Sequence, residues 1–276
     1  MLEARGITVR YGDIAALEAA DLSVSAGEVV VIVGPNGAGK STLMGALSGA
    51  QQCTSGEARI DGTNVAGMSP HALATRRAVL EQTPVREVPF SVSELIGLAI
   101  DRSIDPELAA EFTARALLKL DLLELGATPV MRLSGGQAHR AHMARTLAQL
   151  WAIQANGGPG YLMIDEPTAS LDLTHQRAVV SAARDAAHEG AGVLVILHDL
   201  TIAAAVADRV VLMQDGRILE DGGPDDVLRP EILEPVYGLP IVSLRTHGQT
   251  VIAPLLNPDP DTHETEANDV RCNEPV

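Results

Sequence analysis

A glycine-rich loop that directly follows a buried strand constrains the fold of this chain more than any other feature. Five consecutive β-branched residues, Val29–Val33, predict a short strand that is covered on both faces. The next residues, Gly34–Ser41, match the phosphate-binding pattern G-x-x-x-x-G-K-[ST] in full. Leu43 and Leu47 then share one face of a predicted helix. A strand, this loop and a helix in that order predict an α/β fold that binds a nucleoside triphosphate.

The chemistry of the loop follows from its residue types. Its glycines leave room for backbone N–H groups to approach phosphate oxygens without an intervening Cβ. The helix that follows adds the positive end of its dipole. Lys40 is expected to bridge the β- and γ-phosphates, and Ser41 is expected to place its hydroxyl on Mg²⁺. The residues predicted to hold ATP here are Gly34, Pro35, Asn36, Gly37, Ala38, Gly39, Lys40, Ser41 and Thr42.

Two further apolar strands end in polar residues. Tyr161–Ile164 is followed by the acid pair Asp165 and Glu166, and Val193–Leu197 is followed by His198. In open parallel sheets, ligands bind beyond the carboxyl ends of the strands. We therefore expect these three polar side chains to meet the phosphate-binding loop at one edge of the sheet.

Between the strand at Val29–Val33 and the strand at Tyr161–Ile164 the pattern turns helical. Helix-start signals occur at Ser91–Glu94, which forms a capping box, at Asp105–Glu107 and at Ser134. They predict a mostly helical insert over about residues 85–150. Further along, Met213–Ile218 carries an Asp-Gly pair between apolar segments, which predicts a β-hairpin.

Charge and hydropathy argue against two classes of function. The net charge of −16 disfavours a broad nucleic-acid surface, which would need clustered Lys and Arg. The apolar runs fall well short of the roughly 18–20 residues that a membrane helix needs. Met1–Arg5 shows no basic-then-apolar signal pattern, so we expect the chain to stay in the cytosol.

The cysteines and the C-terminal end carry simpler predictions. Cys53 and Cys272 lie far apart and lack metal-ligand spacing, which predicts two reduced thiols. Residues 257–276 are rich in Pro, Asp, Glu and Thr, and this composition predicts a disordered acidic tail. Residues 1–256 are expected to form the nucleotide-binding domain.

A second glycine-rich motif, Leu133–Gln137, changes the meaning of the phosphate-binding loop. Together the two motifs resemble the ATP-binding-cassette (ABC) family over roughly residues 1–255. The resemblance implies a P-loop ABC ATPase core with a mostly parallel sheet, an N-terminal antiparallel β subdomain and a helical insert. It also implies ATP sites that two subunits share. In such a site, the γ-phosphate bound to Lys40 of one subunit is held by an anion site of the other, formed by Ser134, Gly135, Gly136 and Gln137.

The resemblance assigns roles to the residues at the strand ends. Asp165 corresponds to the acid that holds Mg²⁺, generally through water. Glu166 corresponds to the carboxylate that polarises the attacking water. His198 matches the switch histidine that contacts the γ-phosphate, and we group it with Glu166 as catalytic.

Three more positions match motifs of the family. Gln82 falls where a glutamine senses Mg²⁺ and the γ-phosphate, between the core and the helical insert. Tyr11, which precedes Gly12, matches the aromatic residue that stacks on adenine. Asp172 ends the run Pro167–Asp172, which resembles the family's D-loop. The implied cofactors are ATP and Mg²⁺.

One detail of the second motif departs from the pattern of many relatives. Ala138 and His139 precede Arg140 where a glutamate-glutamine stretch is usual, which leaves the Ser-Gly-Gly anion site intact. His139 and His142 stand three residues apart on a predicted helix. Two ligands are too few for zinc, so we expect these histidines on a solvated helix face.

A narrower resemblance concerns the transported molecule. Leu47–Gly49, Arg76–Gln82 and Ala148–Trp151, together with a Gly-rich insert before Tyr161, are similar to the haemin importer ATPase group. The siblings of this group serve ferric siderophores and vitamin B12. The similarity implies a reaction, ATP + H₂O → ADP + phosphate, at the cytoplasmic face of the cell membrane.

The same resemblance implies partners and leaves alternatives open. The partners are a second copy of the chain, two integral membrane permease subunits and, indirectly, an extracytoplasmic binding protein; the ATPase itself would not touch haem. An exporter or another importer would use the same motifs. A soluble ABC protein that acts on DNA or ribosomes is the alternative of a different class. Such proteins usually carry a long coiled-coil insertion or two cassettes, whereas this chain has one compact cassette.

Overall fold

Strands form both the centre and the N-terminal part of the molecule. The computed structural model describes residues 1–82, 88–166 and 173–255. In chain order, the strands are β1 (Leu2–Tyr11), β2 (Ile14–Val24), β3 (Val29–Val33), β4 (Ser55–Ile60), β5 (Thr63–Asn64), β6 (Arg77–Leu80), β7 (Tyr161–Asp165), β8 (Gly192–Ile196), β9 (Arg209–Gln214), β10 (Arg217–Gly222), β11 (Ile241–Thr246) and β12 (Gln249–Pro254).

Helices lie between these strands, and most of those in the middle of the chain follow one another directly. In chain order they are α1 (Lys40–Ser48), α2 (Pro70–Ala74), α3 (Val92–Gly97), α4 (Pro106–Lys119), α5 (Gly135–Ala155), α6 (Leu173–His188), α7 (Leu200–Val206), α8 (Pro224–Val227) and α9 (Pro230–Tyr237). The stretch from α3 to α5 is the predicted helical insert, and α5 extends a turn beyond its expected limit.

The central sheet has the strand order β10-β9-β3-β8-β7-β6. Five of its strands run parallel, and β10 pairs antiparallel with β9 at one edge. Both β3 and β8 are buried along their whole length, as continuous apolar runs in parallel sheets require. Because the strands are parallel, β3, β7 and β8 deliver Gly34, Asp165 and His198 to the same edge. The predicted convergence of these strand ends is confirmed.

A second sheet, with the order β2-β1-β4-β5, is antiparallel and lies at the N-terminal side. Its apolar face shares one core with α1 and with the even-numbered residues of β3, Val30 and Ile32. The odd-numbered residues of β3 belong to the other core, which includes the helical insert. The two cores on opposite faces of the central sheet give the α/β architecture that the ABC resemblance implied.

Local capping explains where the insert helices begin. The amide of Ser91 donates to Glu94 Oε2 at 2.8 Å, and the amide of Glu94 donates back to Ser91 Oγ at 3.3 Å. Asp105 Oδ1 accepts from the amide of Glu107 at 2.9 Å at the start of α4. Both predicted helix starts are therefore confirmed, because side chains satisfy backbone N–H groups that the first helical turn leaves free.

The expectation of a solvated face around His139 and His142 was wrong. Their exposed fractions are only 7% and 5%, since α5 packs against α3, α4 and β6. Arg140, also buried, donates from its guanidinium to the carbonyl oxygens of Leu120 and Asp121. A helix enclosed on most sides shows little apolar periodicity, so the sequence pattern gave no indication that these residues are buried.

Two hairpins complete the described chain. The turn between β9 and β10 has Asp215 and Gly216 at φ values of 50° and 77°, which confirms the predicted Asp-Gly hairpin. The hairpin of β11 and β12 packs on α7, where the Thr201 hydroxyl donates to the carbonyl of Ile252 and accepts from its amide, both at 3.0 Å. Within the described residues, no helix is long and apolar enough to cross a bilayer.

Candidate active site

The phosphate-binding loop joins the end of β3 to the start of α1. Lys40, the first residue of α1, is 5% exposed, and its ammonium donates to the carbonyls of Gly34 at 2.8 Å and Pro35 at 2.9 Å. Burial lowers the pKa of Lys40, while the negative charges of Glu166 and Asp165 oppose that effect. The loop thus wraps around a cation to which no carboxylate of the described residues is bonded, and this arrangement suits an anionic ligand in front of it.

Close backbone packing explains two of the loop glycines. A Cβ on Gly34 would lie 2.1 Å from the carbonyl oxygen of Met213, and a Cβ on Gly39 would lie 2.6 Å from that of Ala16. Gly39 also has φ 93°, in the left-handed region that favours glycine. Gly37, at φ 82°, has open space where a Cβ would be, so conformation alone selects glycine there.

The turn of the β9–β10 hairpin is hydrogen-bonded to the phosphate-binding loop. The amide of Gly216 donates to the carbonyl of Ala38 at 3.1 Å, and the carbonyl of Gly216 accepts from the amide of Glu18 at 2.8 Å. Backbone groups of the turn therefore link the phosphate-binding loop to β2. Sequence analysis predicted the hairpin but not this contact.

Glu166 lies at the centre of a small hydrogen-bonded cluster. Its Oε2 accepts from the side-chain amide of Gln82 at 2.6 Å, and its Oε1 is hydrogen-bonded to Nε2 of His198. The backbone of Glu166 has φ 49°, which is uncommon for a residue other than glycine. Its amide still donates to the carbonyl of Ile196, so the strained residue is anchored to β8. The structure thus brings together three of the predicted site residues, Gln82, Glu166 and His198.

Asp165 lies beneath this cluster at the end of β7. Its Oδ1 is buried and has no hydrogen-bond partner among the described residues. Burial is the main cause that raises the pKa of Asp165, and the charge of Glu166 adds to it; hydrogen bonding to Ser41 and the positive charges of Lys40 and His198 act in the opposite direction. A buried, unpaired carboxylate oxygen near a serine hydroxyl is a donor set that fits a hard divalent cation. The residues present therefore fit Mg²⁺.

A cavity of about 420 Å³ opens in front of the loop. Sequence analysis missed one member of its wall, Ala16 on β2, because an alanine in a strand carries no motif. The lining residues are Ala16, Asn36, Gly37, Ala38, Gly39, Lys40, Ser41, Thr42, Gln82 and Glu166.

Tyr11 does not line this cavity. Tyr11 ends β1, is 55% exposed, and donates from its hydroxyl to Gln51 Oε1 at 2.9 Å. Its ring is therefore accessible, as a surface that stacks on adenine must be. Asp172 lies outside the described residues.

The second glycine-rich motif forms the N-terminus of α5. Ser134 Oγ accepts from the amide of Gln137 at 3.3 Å, and Gln137 Oε1 accepts from the amide of Ser134 at 2.9 Å. Gln137 thus caps the helix rather than pointing its oxygen at an anion. Gly135 and Gly136 leave the helix end free of bulky side chains. In the described part of the chain, none of these four residues lines the cavity at the phosphate-binding loop.

Comparison with known proteins identifies the family to which this geometry belongs. A family model described as ABC transporter matches residues 17–169, more than half of the chain. The chain belongs to the ABC transporter family. It is 45% identical over 240 residues to the hemin import ATP-binding protein HmuV of Rhodopseudomonas palustris, which covers 87% of this chain and 89% of that protein.

Two further ABC proteins are similar to this chain over most of its length. HmuV of Pseudomonas aeruginosa is 40% identical over 247 residues, with 89% of this chain and 95% of that protein covered. A nucleotide-free ATP-binding cassette from an ABC transporter, solved by crystallography, superposes with a TM-score of 0.71 at 25% identity, over 86% of this chain and 98% of that one. The chain is therefore an ABC-type ATPase that uses ATP.

Proposed function

We propose that this chain is the ATP-hydrolysing subunit of an import complex that takes up haemin through a separate membrane permease. The observation that carries the proposal is its similarity to hemin import ATP-binding proteins over nearly their whole length. The same chain holds a phosphate-binding loop, a carboxylate with two hydrogen-bond partners and a buried acid at one sheet edge. These features supply the chemistry that ATP hydrolysis needs.

The proposed roles of the site residues combine the resemblance to the ABC family with the contacts of the site. Lys40 and the loop amides bind the phosphates, and Glu166 accepts a proton from the attacking water. His198 and Gln82 orient the Glu166 carboxylate because each bonds one of its oxygens. Asp165 and Ser41, with Gln82, would hold Mg²⁺. When bound, the ion neutralises charge on the β- and γ-phosphates.

Two copies of the chain are needed for a complete site. The Ser134–Gln137 helix start is a ready-made anion site, yet it does not line the cavity of its own chain in the described structure. We infer that it binds the γ-phosphate held by Lys40 of a second copy, and that the second copy reciprocates.

Exposed apolar side chains on the helical insert support a membrane-embedded partner. Single exposed apolar residues are ordinary, but neighbouring ones form a patch that suits a docking surface. Phe90 and Met131 are brought near each other, since the amide of Val130 donates to the carbonyl of Phe90 at 2.9 Å. The exposed insert residues are Phe90, Leu98, Leu118, Leu123 and Met131. Docking to a permease would place the subunit at the cytoplasmic face of the membrane.

Two alternatives differ in substrate or in class. Import of a ferric siderophore or of vitamin B12 would use the same ATPase residues. An ABC protein that acts on nucleic acid or ribosomes would not need a permease, and the net charge of −16 disfavours it. The substrate enters through the other subunits, so this chain needs no haem site.

The test is co-purification from membranes followed by reconstitution. A tagged chain should retain a permease of two integral membrane subunits, and haemin with its binding protein should stimulate ATPase activity of the vesicle-embedded complex. Ferric siderophore and vitamin B12 in matched assays should give no stimulation. If only one of those two molecules stimulated the complex, that molecule would be the substrate in place of haemin. A chain that never co-purifies with a membrane protein would refute the transport role.

A further inference from the structure

Paired charges join the helical insert to the core along one side. Lys119 Nζ lies 2.7 Å from Asp185 Oδ2, and Arg115, four residues earlier on α4, is ion-paired with Glu189, four residues after Asp185. Four residues are about one helical turn, so the two pairs stand one above the other between antiparallel helices. Each pair therefore links α4 of the insert to α6 of the core or to its C-terminal end.

Trp151 brings the third helix, α5, to the same point. Its indole N–H donates to Glu189 Oε2 at 3.1 Å, and the Arg115 guanidinium carbon lies 4.0 Å from the centre of its ring. Three residues further on, the side-chain amide of Gln154 donates to the carbonyl of Glu189 at 3.1 Å. Glu189 thus receives contacts from both long helices of the insert. We call Arg115, Lys119, Trp151, Asp185 and Glu189 the brace.

The helix α5 joins Trp151 of the brace to the second glycine-rich motif at its N-terminus. Ser134 caps the start of the helix, and Trp151 lies 17 residues further along. At 1.5 Å per residue, this separation is about 25 Å. A tilt of roughly 10° about the Trp151 end would therefore move Ser134 by ~4 Å. A group that binds a phosphate of another subunit must be placed within about 0.5 Å of its working position.

We propose that the brace is a positioning device that fixes the angle of α5, so that Ser134 meets the ATP held by a second copy of the chain. This inference rests on the proposed sharing of ATP sites between two copies. None of the five residues lines the nucleotide cavity. They act on hydrolysis through the orientation of α5 and not through contact with ATP.

The exposure of the paired charges distinguishes the positioning of α5 from a contribution to the stability of the fold. The side chains of the two ion pairs are 24–44% exposed. Ion pairs that accessible contribute little to the stability of a fold. Breaking one should therefore leave the protein folded, with its own ATP affinity unchanged, while altering the association of two copies.

The test compares charge reversals at two basic residues, each of which lies 2.7 Å from an aspartate oxygen. Lys119→Glu breaks the pair across the insert boundary. Arg184→Glu breaks a pair with Asp208, also 2.7 Å long, that starts on the same helix α6 but lies within the core. Both are made in the Glu166→Gln protein to measure ATP-dependent dimerisation, and in the wild-type background to measure kcat and KM.

Lys119→Glu should weaken the ATP-dependent dimer and lower kcat by about five- to tenfold, because small misplacements of positioned groups reduce rates strongly. The ATP affinity of the monomer and the melting temperature should stay as in the parent. Arg184 also donates to the Val206 carbonyl at 3.0 Å, so Arg184→Glu is the control for dimerisation and kcat, which it should leave unchanged. The double variant Lys119→Glu/Asp185→Lys restores opposite charges and should recover dimerisation and kcat to within about twofold.

Three results would overturn the inference. They are unaltered dimerisation in Lys119→Glu, an equal loss in Arg184→Glu, and failure of the double variant to recover. Should Lys119→Glu not fold, Lys119→Gln removes the charge without reversing it and should weaken the dimer about two- to threefold. A Glu166→Gln protein with an intact brace that never dimerises in ATP would instead refute the shared site itself.

Discussion

The side-chain amide of Gln82 donates a hydrogen bond to Glu166 Oε2 at 2.6 Å. Gln82 lies two residues after the end of the edge strand β6 and precedes the helical insert, so this bond joins the proposed general base to the place where the insert leaves the core. His198 bonds the other carboxylate oxygen. Both carboxylate oxygens of Glu166 are hydrogen-bonded. The orientation of Glu166 therefore depends on the core, through His198, and on the segment that leads into the insert, through Gln82.

Glu166→Gln should separate ATP binding from hydrolysis. Glutamine has nearly the same shape but cannot accept a proton from water at neutral pH, so the rate should fall about 10²–10⁴-fold. The variant should accumulate as an ATP-bound dimer, measured by size-exclusion chromatography with multi-angle scattering and by phosphate release. Glu220→Gln, a change at an exposed residue of β10, is the matched control. Hydrolysis by Glu166→Gln within a few-fold of wild type would contradict the assignment.

Lys40→Ala should remove tight ATP binding. The buried ammonium is held by two loop carbonyls, and its loss takes away the positive charge that faces the phosphates. Isothermal titration calorimetry with ATP-Mg²⁺ measures the effect, and circular dichroism verifies that the variant is folded. Equal affinity in the variant and the wild type would show that the loop does not bind the triphosphate as assigned.

Ser134→Arg should block hydrolysis without affecting ATP binding by the monomer. A long side chain at the N-cap of α5 obstructs the approach of a second copy, whereas the cavity of the same chain does not include this residue. Nucleotide binding and ATPase activity are measured on the same preparation. A variant that binds no ATP would indicate that the motif is needed for folding instead.

Two glycine substitutions in the loop should differ in severity. Gly37→Ala meets no atom and is penalised only by its φ of 82°, about 1–2 kcal/mol in the free energy of unfolding. Gly34→Ala places its Cβ 2.1 Å from the Met213 carbonyl and must displace β9 or the loop. Urea unfolding should therefore show the larger loss for Gly34→Ala, together with weaker ATP binding. Equal stabilities would contradict the close packing described here.

Asp61→Asn should destabilise the protein at neutral pH but not in acid. Burial, the largest influence, raises the pKa of Asp61, but the Tyr161 hydroxyl at 2.6 Å, the Met1 ammonium at 2.9 Å and Arg76 together hold the pKa below its ordinary value. A lowered pKa means that the carboxylate stabilises the fold above about pH 3.9 and stops doing so as the pH falls further.

The measurement is the difference in unfolding free energy between wild type and Asp61→Asn across pH. It should be constant from neutral pH down to about pH 5 and should shrink below about pH 4. Asp13→Asn, at an exposed turn, is the control and should show little difference at any pH. A difference that grows on acidification would have the wrong sign for this account.

Local signals in the sequence predicted most of the fold. The β-branched run of β3 and the capping residues Ser91 and Asp105 act within a few positions of themselves, and each lies where it was expected. The strand-end residues Asp165 and His198 were also placed correctly, because parallel strands share one carboxyl edge.

Local signals in the sequence do not predict contacts between segments that are distant along the chain. Ala16 lines the nucleotide cavity although its side chain is a methyl group, and its position there depends on how β2 packs on the loop. His139 was misjudged because enclosure of α5 by the insert and the sheet is a tertiary property that helical periodicity does not record. The roles assigned to the site residues remain predictions for the experiments above.

The backbone bond from Gly216 to Ala38 has a consequence for how this family member can vary. Because the turn supports the phosphate-binding loop through main-chain atoms, most side-chain changes at the exposed residues of β10 leave that support intact. A residue inserted into or deleted from the turn would instead shift the supporting amide by one position and withdraw it from the loop. Amino-acid substitutions should therefore be common in this hairpin, whereas insertions and deletions in its turn should be rare.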